Sequence, residues 1–485
     1  MAEEHPAIAK LRGVVGPQNI LADHDELLVY ECDGFPIAKG MPTAVVFPTR
    51  TQQVADCVKV LNQYDVQIIP RGSGTGLAGG AVAYGPGVLV TTSRMTKIEK
   101  LDLKNRYAVV QAGVRNLALT DALAGTGSHY SPDPSSQRAS TIGGNASTNA
   151  GGINTLKHGV TTNHILGLEF VTADGAIATT RVGGVTDGIG PDLPGLLCGS
   201  EGTLAILTRV WCRIVPKPKH FRTFYAVYDA TADACKTVSD VIAAGIMPTS
   251  MEMMDGGMIQ AVEMAFHFGF PTTAAALLLL EIDGIDQVLD DQMAQIVAIA
   301  QANKGHDIQQ CSDPDRRALL WSARKKAFGA IGRISHSYCT QDACVPRSML
   351  PEVMAHVAEL GEKHGIRITN VFHAGDGNIH PILLFDEDKP QEVQRTLRLS
   401  EEILEYCVSI GGTITGEHGV GVEKLHLMKK MFNADTLDAF LKIKKTFDPD
   451  QRINDAKLVP SDRLFVELLK PIAINTPGGA VVTQV

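Results

Sequence analysis

Two histidines, His373 and His380, stand seven residues apart in VFHAGDGNIHP, on either side of an Asp-Gly pair. Asp-Gly favours a two-residue type I′ hairpin. A turn at Asp376-Gly377 sets His373 directly opposite His380, with Cβ atoms roughly 4.5–5.5 Å apart, so that both imidazoles can share one ion. A carboxylate would complete the set and leave positions open for a substrate. TGEHGVG supplies Glu417 beside a further imidazole, His418, between glycines that let the backbone approach a ligand. Two opposed histidines can equally pack or hydrogen-bond within a sheet, and a lone Glu-His pair is a weaker signal still. The Gly-rich surroundings of both suit core packing poorly and favour the ligand reading. Arg324, in LLWSARKKAFGAIGR, offers the guanidinium fork that matches a carboxylate. It can as well be one cation of a solvated helix face, beside Lys325 and Lys326.

A second chemistry is written in glycine. PRGSGTGLAGGAV (70–82) follows the apolar run VQIIP, and Gly74, Gly76 and Gly79 match the G-x-G-x-x-G of a Rossmann dinucleotide site. The glycines are denser than that fingerprint needs, and AVAYGPGVLVTT does not read as the required helix. Bare backbone N–H groups forming a nest for a pyrophosphate fit better; a purely structural turn is the third reading. PDPSSQRASTIGGNASTNAGGI (132–153) again mixes glycine with small polar residues and buries no core, which points to a ligand that orders it. CGSEGTLAILTRV (198–210) is a Gly-punctuated turn entering a strand. The three together suggest a large phosphate-bearing cofactor held mainly by backbone.

PRGSGTGLAGG, STIGGNASTNAGG and GSEGTLAILT resemble the three flavin-binding segments of the vanillyl-alcohol oxidase type FAD fold. HAGDGNIHP and GEHGVG resemble the paired signatures of the FAD-linked D-2-hydroxy-acid dehydrogenase and glycolate oxidase FAD-subunit family, over roughly residues 40–460. The resemblance implies FAD pyrophosphate on the backbone of Arg71, Gly72, Ser73, Gly74, Thr75, Gly76 and Leu77. It implies further cofactor contacts from Ser140, Thr141, Gly143, Gly144, Asn145, Ile206 and Asn454. Thr75 stands where some relatives carry a flavin-tethering histidine, so non-covalent FAD is expected. His373, His380 and Glu417 are the implied ligands of a divalent metal, Zn or Mn foremost. His418 is the implied base, Asn378 a substrate neighbour and Arg324 the carboxylate clamp.

The implied reaction is oxidation of a 2-hydroxy acid. The metal stabilises the forming alkoxide, His418 takes the hydroxyl proton, and hydride passes to flavin N5. Phe328 and Thr340 stand where dicarboxylate-specific relatives carry polar or basic contacts, so a small monocarboxylate is favoured: glycolate, giving glyoxylate. A D-lactate dehydrogenase is the alternative, because one methyl is worth only ~1–3 kcal/mol of discrimination. A nicotinamide enzyme and a non-catalytic assembly subunit are the more distant rivals. The family implies a second flavin-fold subunit and an iron–sulfur subunit as partners.

The elements that must position these residues read as α+β: a two-subdomain vanillyl-alcohol oxidase (PCMH) type FAD-binding domain, then an α+β cap with an antiparallel sheet. TAVVFPTRTQQVADCVKVLNQYDVQIIPRG is strand, helix, strand, with the helix apolar at Val54, Val58 and Leu61. Four β-rich runs follow, and VPKPKH (215–220) resembles a linker. The expected divisions are 1–218 for FAD, 219–420 for substrate and metal, 421–465 a helical return to the FAD domain, and 466–485 a disordered tail. With 485 residues and 44% hydrophobic composition, the chain has ample core for two or three domains. Its net charge of −9 argues against a nucleic-acid partner. Nine cysteines without a CxxC pair fit a reducing compartment and leave no Fe–S framework. The N-terminus lacks signal-peptide features and no apolar run reaches the ~20 residues of a span. A cytoplasmic location is expected, with membrane association only through partners.

Overall fold

In the computed structural model, residues 5–181 and 190–460 are described, together with the backbone of two C-terminal strands. Three sheets carry the architecture. The first has four strands in the order Ile20–Leu21, Ala44–Val46, Gly87–Thr91, Gln67–Arg71, the last three parallel. The helix Thr51–Gln63 makes the parallel crossover, burying Val54, Val58 and Leu61 with Ala55 and Cys57, the stripe that its periodicity predicts. The second is antiparallel, in the order Ile98–Asp102, Tyr107–Gln111, Ile206–Arg213, Ile165–Val171, Ile177–Thr179.

Residues 78–86 run through turns into the strand Gly87–Thr91, with no helix following the glycine loop. The Rossmann reading therefore lapses: the phosphate nest of that motif needs a helix N-terminus that is not there.

The segment expected as a linker is shorter than its composition suggests. Val215–Pro216 pairs with Ser128–His129, and the next strand starts at His220. That strand enters a seven-stranded antiparallel sheet, ordered His306–Cys311, His220–Tyr228, Ala276–Gly284, Ser250–Asp255, Arg367–Phe372, Pro381–Phe385, Ser337–Thr340. Helices Thr231–Ala243, Asp286–Ala302 and Leu350–His364 cover one face, around Phe224, Leu278 and Phe372. Helices Gly256–Phe266 and Pro314–Ala330 cover the other, around Leu277, Leu279 and Val371. AAALLLLEI is thus a central strand, buried on both faces as its unbroken apolar run requires.

After helix Ala434–Phe447 the chain returns to the first sheet. Ile68 N–H donates to Arg452 O and Asn454 N–H to Ile68 O, both at 2.8 Å. In the tail, Ile472–Thr476 and Gly479–Thr483 pair antiparallel; the rest of the expected disordered segment lies outside the described residues. Among those residues no helix is long and apolar enough to cross a membrane.

The histidine hairpin differs from its expectation. His373 pairs with Asn378, and Asn370 with Pro381. A turn of 3-10 helix, Ala374–Asp376, closed by Gly377 at φ +74°, replaces the two-residue turn. The register has slipped by two, and side chains alternate with period two, so both histidines keep one face. Their rings meet at 5.3 Å as diagonal rather than direct neighbours.

Candidate active site

A cavity of about 450 Å³ runs between the glycine loops and the cap sheet. One end is lined by Arg71, Gly72, Ser73, Gly74, Thr75, Gly76 and Leu77, by Ser140, Thr141, Gly143, Gly144 and Asn145, and by Ile206. Small residues leave this wall mostly backbone. The Arg71 side chain turns away: its guanidinium donates to Ala81 O at 3.0 Å and Cys32 O at 2.8 Å, bracing the loop from behind. Asn454 does not line the cavity. Its amide donates to Gly80 O at 3.0 Å and Glu201 O at 2.7 Å, tying the first and third loops together. Ser140 Oγ and Asn145 Nδ2 are buried without hydrogen-bond partners, as atoms awaiting a polar cofactor are.

The other end is lined by Lys325, Phe328, Tyr338, Thr340, His380, Glu417 and His418. Glu417 Oε1 lies 3.2 Å from His373 Nε2 and 3.6 Å from His380 Nε2. The ligand atoms of these three residues fall within 4.8 Å of one another. His373 Nδ1 stands 2.6 Å from Glu252 Oε1. Burial disfavours charge on this ring, but the Glu252 and Glu417 carboxylates override it and raise its pKa to about 10. His380 Nε2 lies 3.4 Å from Asp342 Oδ1, and its Nδ1 has no hydrogen-bond partner. Two imidazoles and a carboxylate so placed fit a divalent cation, whose charge would take the place of the proton that Glu252 and Glu417 hold on His373.

His418 stacks on His380 with ring centroids 4.8 Å apart. Burial pushes its imidazole down to about 4, so it is neutral at pH 7, and its Nδ1 is unpartnered. Arg324, on helix Pro314–Ala330, is not on a solvated face. It is 1% exposed, bonds Glu252 Oε2 through Nε at 2.6 Å, and leaves Nη1 and Nη2 without partners. Asn378 is buried beside the base-bearing loop, where a Cβ on Gly416 would stand 2.5 Å from its Cγ. Neither Arg324, Asn378 nor His373 reaches the cavity wall itself.

Three carboxylates that sequence reasoning passed over build this end. Asp342 Oδ2 accepts N–H from Gly416 at 2.8 Å, Glu417 at 3.1 Å and His418 at 2.9 Å, and the Thr415 hydroxyl at 2.6 Å. Glu201, from the flavin-side turn, accepts N–H from Val420 at 2.6 Å and Gly421 at 2.7 Å. Glu252 joins Arg324 to His373. The flavin-side loop also touches the ligand set directly: a Cβ on Gly151 would lie 2.5 Å from Glu417 Oε2. Only the charge of Glu201 inside GSEG could have marked any of these beforehand.

The FAD binding domain family matches residues 42–181, and the family "FAD linked oxidases, C-terminal domain" matches residues 217–458. The chain is 41% identical to glycolate oxidase subunit GlcD of Escherichia coli, over 93% of this chain and 90% of that one. The chain belongs to the FAD-linked oxidase family. Glycolate oxidase subunit GlcD of Bacillus subtilis is 37% identical over 93% of this chain and 96% of its own. A D-lactate dehydrogenase of Archaeoglobus fulgidus is 32% identical over 86% and 91%. Among solved structures, p-cresol methylhydroxylase superposes with TM-score 0.79 at 19% identity, covering 93% of this chain and 96% of that one; this shows the fold alone. The α+β vanillyl-alcohol oxidase type fold expected for this FAD-linked oxidase is the fold found.

Proposed function

We propose that this FAD-linked oxidase dehydrogenates a small 2-hydroxy monocarboxylate, glycolate to glyoxylate, as the flavin subunit of a glycolate oxidase complex. The observation that carries the reading is that His380, Glu417 and His418 line one end of a flavin-fold cavity, with the His373 ligand atom grouped beside them and the buried Arg324 fork left unpartnered at Nη1 and Nη2. When bound, non-covalent FAD supplies the hydride acceptor and a divalent metal on His373, His380 and Glu417 supplies Lewis acidity.

The chain's own groups do the rest. Arg324 takes the substrate carboxylate on its free fork. His418, neutral at pH 7, accepts the hydroxyl proton at a ring nitrogen. Asn378, buried against Gly416 with Oδ1 unpartnered, is the proposed substrate neighbour. Phe328, whose ring lies 6.4 Å from that of His380, closes the space beside the substrate and offers nothing to a second carboxylate. Thr340 Oγ1 is neutral as well as unpartnered. Relatives named as GlcD are subunits, and the candidate metal groups among the described residues contain no cysteine. Electron exit through partner subunits, one of flavin fold and one carrying iron–sulfur centres, is part of this proposal.

D-lactate is the second reading, supported by the Archaeoglobus relative. Anaerobic addition of glycolate and D-lactate to the yellow protein decides. Glycolate should bleach the flavin faster, lose that effect on chelation and regain it with Zn²⁺ or Mn²⁺. Faster bleaching by D-lactate would move the substrate, and bleaching by neither, with or without metal, would sink the reading. His418→Ala with full turnover would remove the base.

A further inference from the structure

Glu252 sits on the strand Ser250–Asp255, 1% exposed. Its neighbours Met253 and Met254 pair with Phe372 and Val371, so one further step of the ladder sets Glu252 across from His373. Its two oxygens are spent on different partners: Oε2 on Arg324 Nε and Oε1 on His373 Nδ1, each at 2.6 Å.

We propose that Glu252 is a positioning residue whose single carboxylate sets both the proton placement on His373 and the direction of the Arg324 fork. The inference rests on the reading of His373 as a metal ligand and Arg324 as the substrate clamp. With one oxygen on each partner, the carboxylate accepts from both. Nδ1 is thereby tied to Glu252, and Nε2, 3.2 Å from Glu417 Oε1, is the nitrogen left to face the metal position. Arg324 meets Glu252 through Nε alone. That leaves Nη1 and Nη2, both buried and unpartnered, as a pair able to take a second carboxylate. One buried charge thus registers the metal ligand against the substrate clamp.

Glutamine at 252 keeps the shape and breaks the logic, because an amide has one accepting atom and one donating group. If its oxygen stays on Arg324, its NH₂ meets His373 Nδ1 and drives the ring proton onto Nε2, where it blocks ligation. If its oxygen stays on His373, its NH₂ opposes the Nε–H of Arg324. In the full-length protein, Glu252→Gln should keep wild-type FAD content by absorbance. Its affinity for Zn²⁺, titrated against a competing chelator, should fall about 10- to 100-fold. KM for glycolate should rise even at saturating Zn²⁺.

Wild-type Zn²⁺ affinity and KM in Glu252→Gln would overturn the inference while leaving the proposed function intact. A wild-type protein that binds neither Zn²⁺ nor Mn²⁺ yet is reduced by glycolate would overturn the inference and the metal part of the proposed function, leaving the substrate reading standing. Independently of any variant, ¹⁵N spectra of histidine-labelled wild-type protein with Zn²⁺ should show His373 bound through Nε2 with Nδ1 protonated. Ligation through Nδ1 would overturn the inference.

Discussion

At the scale of single residues, the site is governed by buried carboxylates that only accept. Asp342 serves three backbone N–H groups and one hydroxyl, and Lys424 Nζ lies 3.6 Å from it with neither side chain exposed. Asp342→Asn turns a donating NH₂ toward a ring of donors and leaves Lys424 with only Glu423, 3.9 Å away, as a carboxylate neighbour. The expected cost is about 3 kcal/mol or more, read as a lower denaturant midpoint, together with loss of glycolate-driven flavin reduction. A residue remote from the chemistry should set part of the acid sensitivity. His164 is 3% exposed, contacts His158 O through Nε2, and has no partner for Nδ1. Burial lowers its pKa from 6.5 to about 4. Between those values the unfolded state holds the extra proton, so stability falls as pH drops through that window, by up to about 3 kcal/mol. Urea midpoints at pH 7.5, 6 and 5 should converge in His164→Gln and spread in the wild type.

At the scale of elements, the loop 415–421 is hung rather than packed. Asp342 holds its first half and Glu201 its second, while Val422 N–H reaches Ala78 O at 2.9 Å on the flavin side. Gly421 closes the loop at φ +52°, and a Cβ there would collide with the Ala78 carbonyl. Gly421→Ala is therefore expected to cost about 2 kcal/mol or more and to weaken FAD and metal binding together. Gly245→Ala, equally left-handed at φ +80° but with nothing near its Cβ, should cost only the backbone strain, about 1 kcal/mol. Equal losses of thermal midpoint in the two variants would contradict this account.

At the scale of the molecule, the C-terminal return couples the two ends of the chain. Beside the Asn454 contacts, Lys457 Nζ donates to Gly80 O at 2.9 Å and Val82 O at 2.5 Å. Burial pushes its pKa down to about 7. Asn454→Ala should weaken FAD binding while leaving the rate of flavin reduction per bound flavin near wild type, since Asn454 braces the cradle and does not line the cavity. FAD at 100 times its Kd should stabilise the wild type by about 2.7 kcal/mol. At the same FAD concentration the variant should gain visibly less, by thermal shift.

The sequence by itself determined the chemistry-bearing segments. Glycine loops at 70–82 and 132–153 are legible because so many small residues together signal a ligand held by backbone, although Ile142 and Ala146 of the second loop do enter the core, against the expectation that it buries none. The shared face of His373 and His380 was legible too, because a slip of two residues preserves the alternation of a strand. Tertiary structure alone decided the rest. The turn at 374–377 took a 3-10 path that local Asp-Gly preference does not specify, since the neighbouring strands fix its ends. Arg324 is a buried fork rather than a surface cation, because Glu252, 72 residues earlier, meets it across the cap. Glu252, Asp342 and Glu201 are lone acids in ordinary strings. Their value lies in which donors they face once strands and loops distant in sequence have been brought together, and spacing along a chain carries no trace of that.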